Sequence, residues 1–230
     1  MTSFNRFGAI ALAALGFTAL ATIGPAFGPY WTIVALNLAM WIALTQSWSV
    51  FSGLTGYISL GHVVTYGIGG YVVAVTFKTW PLWVSVPAAG LAAALFALIV
   101  STPVLRVRGP YFVILTFGLA ELVKFTLLHV ETSIGASSRL LFGAPRAEDI
   151  LIWMAGLAFL ATTMMYLVSG SRFGRGLQAI REDETAAETV GVPVTRLKVM
   201  AYVLSAAIPG MVGGLMALRS TYFEVLQVFN

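Results

Sequence analysis

Apolar residues in this chain run continuously instead of alternating with polar ones, and charge interrupts them only at intervals. From Phe7 to Phe77, 71 consecutive positions contain no Asp, Glu, Lys or Arg. Ile150–Ser171 and Val199–Leu218 are also free of them, and each is about the ~20 residues a helix needs to cross the hydrocarbon core of a bilayer. Breaks fall where Pro, Gly and charge cluster. They delimit seven spans, at about Phe7–Phe27, Trp31–Val50, Tyr57–Phe77, Leu82–Thr102, Tyr111–Val130, Ile150–Ser169 and Val199–Leu218. Unbroken runs of this length predict helices and not the strands of a barrel. The expected fold is all-α: a polytopic transmembrane helix bundle forming one domain over residues 1–230, with a short helix between the sixth and seventh spans.

Composition strengthens this picture. The chain is 59% hydrophobic and 10% charged, whereas a soluble domain carries about 25% charged residues. Only lipid, or protein within lipid, can surround such a surface. The net charge of +4 does not indicate nucleic acid, because the bases sit in loops between spans, as topology signals do. With no cysteine there is no disulfide, thiolate chemistry or Cys-ligated metal. Arg6 followed by Phe7–Ile23, with small residues at Ala19 and Ala21, resembles a signal peptide. The run is long for one and many similar spans follow, so a retained first helix is expected.

Counting bases orients the spans. With a cytoplasmic N-terminus, Arg6, Arg106, Arg108, Arg172, Arg175, Arg181, Arg196 and Lys198 lie inside, against Lys78, Arg139, Arg146 and Arg219 outside. That excess follows the positive-inside rule. It makes 131–149 an outer loop, which either meets a soluble partner, covers the pore or simply connects two spans. It also puts residues 171–198 in the cytoplasm.

This segment holds the densest charge: Arg172–Lys198 has nine of the chain's 22 charged residues. Asp183 can cap a helix with Glu184 in its first turn, and Gly191 followed by Pro193 stops it. Leu177, Ile180, Glu184, Ala187 and Gly191 share one face by helical spacing, mostly apolar and small. A charge run is ordinarily a solvated loop. The capped start, small-residue face and Gly-x-Pro stop together favour a helix that docks closely into a groove on a cytoplasmic partner.

Ser52–Tyr71 is the second motif. Gly53, Gly56, Gly61, Gly67, Gly69 and Gly70 make it nearly one-third glycine, and Ser52, Thr55, Ser59, His62, Thr65 and Tyr66 place polar groups at the same depth. Glycine lets helices approach closely or unwind, and unwound backbone at membrane depth must face protein or a watery cavity. Two readings stay open: a solute-lining helix, interrupted or continuous, through Thr55, Ser59, His62 and Tyr66; or tight packing with Ser and Thr bonded to their own backbone. Gly67-x-Gly69-Gly70 follows no strand and is not a nucleotide fingerprint.

Glu121 and Lys124 share one face of the fifth span. Because an ionised group in hydrocarbon costs a few kcal/mol or more, they are expected to pair with each other or to face the bundle interior. His129 reads as interfacial. His62 alone makes no metal site, and two separated histidines form no catalytic constellation.

Thr185-Ala186-Ala187-Glu-Thr-Val-Gly191 resembles the coupling signature of ATP-binding-cassette importer permeases, Glu-Ala-Ala, three residues, then Gly, with Thr at the Glu position and Glu184 one place early. Ser52-Gly-Leu-Thr-Gly-Tyr-Ile-Ser-Leu-Gly-His62, Tyr66-Gly-Ile-Gly-Gly-Tyr71, Arg106-Val-Arg-Gly-Pro-Tyr-Phe112 and Ser171-Arg-Phe-Gly-Arg175, in that order, resemble the branched-chain amino acid permeases of the LivH/LivM family, closer to LivM. The likeness runs from about residue 30 to residue 218.

The resemblance implies an importer of branched-chain amino acids, with urea or short amides as family variants, in the bacterial inner membrane. It implies an ATPase subunit dimer carrying ATP and Mg, a second homologous permease and an external solute-binding protein. Contact with the ATPase would fall on Arg181, Glu182, Asp183, Glu184, Ala186, Ala187, Glu188 and Gly191. No cofactor is expected on this chain, and no Walker lysine motif occurs in it. Family members continue past the position of Asn230, so a truncated or an unusually short member is expected. The rival is an ion-coupled secondary transporter or channel using Glu121 and Lys124.

Overall fold

The computed structural model describes residues 3–107, 109–133, 139–140, 143, 145–220 and 222–223. Arg108, much of the 131–149 loop and the residues up to Asn230 fall outside this set, as do the side chains of Arg6 and Arg139. Nine α-helices are described: α1 Ser3–Ala26, α2 Pro29–Trp48, α3 His62–Thr76, α4 Leu82–Val104, α5 Pro110–Ser133, α6 Ala147–Ser169, α7 Arg172–Glu182, α8 Glu184–Thr189 and α9 Val194–Arg219. A two-residue antiparallel pairing joins Arg139–Leu140 to Tyr222–Phe223.

Five helical stretches among the described residues are long and apolar enough to cross a membrane: Pro29–Gly53, α4, α5, α6 and α9. Ile10–Ala26 within α1 and the whole of α3 are apolar but shorter. The bundle is therefore polytopic and helical, as the charge-free runs predict. The span expected over Tyr57–Phe77 is different in kind, because helix begins only at His62. The 15 residues of α3 reach about 22 Å at ~1.5 Å per residue, short of the ~30 Å hydrocarbon core. Backbone without regular structure supplies the remainder.

Prolines set the starts. Pro29 opens α2 at its first turn, where its missing N–H costs nothing. Pro81 and Pro193 occupy the N-cap positions of α4 and α9.

The centre of the bundle is α9, packed between α3 and α4. Its Gly-rich stretch allows this. A methyl group at Gly69 of α3 would overlap the Gly210 backbone carbonyl, and one at Gly213 would overlap the Tyr66 carbonyl. The two backbones touch without intervening side chains, the arrangement that small residues permit in membranes. Here the close-packing reading of the glycine-rich motif applies to its second half. The other side of the core is α2 against α6, through Leu36, Ala39, Ala43, Leu151, Met154 and Ala158, all fully buried. By contrast α5 is lightly covered, and Tyr111, Ile114, Phe117, Leu122 and Phe125 all face outward.

Candidate functional site: a clasp on a broken helix

After Trp48, α2 widens into a π-helical turn over Ser49–Gly53, a feature that often marks functional positions. Regular helix then ends at Thr55, and residues 56–61 form the break before α3. Backbone stranded at this depth needs partners, and neighbouring hydroxyls supply them. Tyr57 N–H donates to Thr55 Oγ1 at 3.3 Å, Ser59 N–H to Ser52 Oγ at 3.2 Å, Leu60 N–H to Thr116 Oγ1 at 3.3 Å and Gly61 N–H to Ser59 Oγ at 3.2 Å. The indole of Trp48 donates to the Ser59 carbonyl at 3.0 Å. The hydroxyls of Ser52, Thr55 and Ser59 therefore hold the break in shape.

Above the break sits the charged segment, which forms two helices where one was expected. Ser171 caps α7 by accepting from Gly174 N–H at 3.0 Å. Asp183 caps α8, its Oδ1 accepting from Thr185 N–H at 2.8 Å and Ala186 N–H at 3.0 Å. Gly191, at φ +85°, ends it. Gly191 N–H donates to the Glu188 carbonyl and Val192 N–H to the Ala187 carbonyl, which is the paired bonding of a Schellman stop.

Most of the face expected to settle on a partner, all but Gly191, is turned inside this chain, a correction to that reading. Leu177, Ile180 and Ala187 are buried with Phe51, Leu54, Phe112 and Tyr202. The physical reason is proximity: α7 and α8 lie over an apolar floor made by the π-helical turn and α9, and the stripe covers it. What faces outward is Glu182, Asp183, Thr185, Ala186, Glu188, Val190 and Gly191.

Two polar ties fasten these helices to the break. Arg181 donates from Nη1 to the Gly53 carbonyl at 2.9 Å. Glu184 turns inward: one carboxylate oxygen accepts from the Tyr57 hydroxyl, and the other meets Lys198 Nζ at 2.9 Å. The ammonium also lies 4.6 Å from the Tyr57 ring centre and 3.4 Å from the Leu105 carbonyl oxygen. The Lys198 side chain is 3% exposed and that of Glu184 12%, so this is a buried, fully dressed ion pair. It links α8, the first turns of α9 and the break at one point. Tyr57 and Lys198 are the functional candidates that sequence reasoning missed.

Deeper in the bundle, His62 Nε2 lies 2.9 Å from Ser205 Oγ, and Ser47 donates to the Ser205 carbonyl at 2.6 Å. The four residues read as a solute path do not form one surface. His62 and Tyr66 line a cavity of about 510 Å³ with Trp41, Leu44, Thr45 and Trp48. Thr55 lines a second cavity, also about 510 Å³, between the break, the start of α5 and the α7–α8 junction. Ser59 is buried with its hydroxyl on backbone. Glu121 and Lys124 pair with each other at 2.7 Å, one helical turn apart. Among the described residues no cluster of His, Asp and Glu could hold a metal ion.

The site thus consists of a helix broken at residues 56–61 within an apolar helical bundle and a capped pair of helices clasped to that break. The sequence profile described as "Branched-chain amino acid transport system / permease component" matches residues 31–228, and the chain belongs to that family. Among curated relatives it is similar to the high-affinity branched-chain amino acid transport system permease proteins LivM of Salmonella typhimurium and Escherichia coli. Each is 29% identical over 82% of this chain and 52% of the relative. The chain thus spans about half the length of the curated relatives it matches. No solved structure matches it.

Proposed function

We propose that this chain is the membrane-spanning permease subunit of an ATP-binding-cassette importer for branched-chain amino acids or related small polar solutes such as urea and short amides. In this reading α7 and α8 face the cytoplasm of a bacterium and the bundle lies in its inner membrane, with the N-terminus inside. The ATPase dimer, carrying ATP and Mg, seats on the outward edge of α8. A second homologous permease completes the membrane unit, and an external solute-binding protein delivers the cargo.

The observation that carries the reading is the buried Glu184–Lys198–Tyr57 contact. A helix displaced by a partner can move the membrane interior only through a stiff connection, and here the connection ends on the helix break. Closing of the ATPases would push α8; the ion pair and the Arg181–Gly53 bond would carry that displacement into residues 53–61. The π-helical turn and the hydroxyl-supported break can change conformation there without breaking a regular helix. The self-contained Glu121–Lys124 pair supports a structural role for these residues, which weakens the ion-coupled alternative.

The outward edge is tested by Ala186→Arg and Glu188→Lys. Both positions are exposed, so membrane insertion should stay at wild-type level while ATPase co-purification falls. Full recovery of the ATPase with both variants would refute docking on α8.

A further inference from the structure

At the end of the bundle away from α7 and α8, Arg219 closes α9. Its Nη1 donates to Asn37 Oδ1 of α2 at 2.7 Å. Among the described residues no carboxylate pairs with this guanidinium. Asn37 is not at a helix rim: it lies eight residues beyond Pro29, the first residue of α2, or ~12 Å along the axis. The Arg219 side chain is therefore drawn into the bundle, the reverse of an arginine that snorkels to the interface. Arg219 is partly exposed, yet a cation drawn to a neutral acceptor within a membrane bundle is costly, and such residues often mark solute or ion paths.

The surroundings give it a direction. Asn37, Trp41, Thr45 and Trp48 follow one another at helical spacing on one face of α2, and the last three line the cavity shared with His62 and Tyr66. Among the described residues the cavity wall is otherwise mostly apolar, with no Asp, Glu, Lys or Arg. A guanidinium beyond one end of such a wall complements a solute with a single carboxylate and an apolar body.

Resting on the permease reading above, we infer that Arg219, positioned by Asn37, is the carboxylate-recognising subsite through which the solute enters the α2–α3 cavity. The guanidinium has donors left after the Asn37 bond, since it presents five N–H groups and has no acceptor. A solute carboxylate accepts from them directly.

The test uses the assembled transporter in lipid nanodiscs and radiolabelled L-leucine, with L-leucine and L-leucinamide as competitors. Wild type should prefer the carboxylate over the amide by about tenfold or more, the scale of one charge-assisted hydrogen bond. Arg219→Gln should lose about tenfold or more in leucine affinity together with that preference, and Arg219→Lys should fall between. Asn37→Asp is the discriminating variant. Its carboxylate would occupy the guanidinium as an internal competitor, so leucine affinity should drop while the thermal midpoint holds or rises.

Unchanged leucine binding in Arg219→Gln and Asn37→Asp would overturn the assignment and leave the guanidinium a lipid-phosphate or packing contact. Loss of binding only in step with loss of fold, in both variants, would overturn it equally. ATP-driven leucine uptake is measured in proteoliposomes from the same preparation. Its absence in wild type overturns the permease reading itself, whereas its presence beside an unaffected Arg219→Gln overturns the subsite alone.

Discussion

Consider Lys198→Met. The substitution removes an ammonium that is 3% exposed and leaves Glu184, 12% exposed, without its counter-charge. Breaking one side of a buried ion pair costs about 3–5 kcal/mol. Here the Tyr57 hydroxyl still donates to the carboxylate, and a hydrogen bond to a charged group contributes about 1.5–3 kcal/mol. The expected loss is therefore near the lower end, about 3 kcal/mol. Glu184→Leu strands the ammonium against the Tyr57 ring and the Leu105 carbonyl and should cost a similar amount. The double variant has no stranded charge, and apolar replacement of a buried pair is often close to neutral. It should be less destabilised than the sum of the singles by about 2 kcal/mol or more, within the range of coupling seen for residues in contact. Reversible unfolding of the purified protein in detergent, run as a double-mutant cycle, measures this directly. Additive losses, or single variants indistinguishable from wild type, would refute a buried clasp.

Two further outcomes follow from the geometry. Gly69→Leu places a side chain where the Gly210 carbonyl lies; it should separate α3 from α9 and abolish the monodisperse peak in size-exclusion chromatography. Asp183→Ala removes the cap on α8, a loss of about 0.5–2 kcal/mol, and amide exchange at Thr185 and Ala186 should speed up while the membrane helices stay protected.

The spans were legible because an uncharged run of ~20 residues has few alternatives to a membrane helix. The cap at Asp183 and the stop at Gly191 were legible because both are local: each needs only neighbours within a few residues. The true start of α3 was not. Hydropathy does not distinguish Tyr57–Gly61 from the apolar helix that follows, and the bonds that let this stretch unwind come partly from Thr116 on a different helix. Lys198 counted as one topology base among eight, and nothing in its neighbourhood announces that it reaches across a Gly-x-Pro turn to Glu184. Asn37 and Arg219 stand 182 residues apart, and only the packing of α2 beside α9 brings them together. The inward turn of Leu177, Ile180 and Ala187 was half legible. Their spacing gave an apolar face, but an apolar face does not say whether its cover is a partner or the chain's own bundle.

The central claim is that motion of α8 reaches the helix break through Glu184 and Lys198. The chain has no cysteine, so one introduced at Ile58, 55% exposed within the break, reports that site alone. In the assembled transporter its labelling rate should change when ATP is added. The change should be markedly smaller in the Lys198→Met/Glu184→Leu background, where only the Arg181–Gly53 bond remains, although the ATPase still co-purifies. An equal ATP-dependent change in both backgrounds would contradict the account.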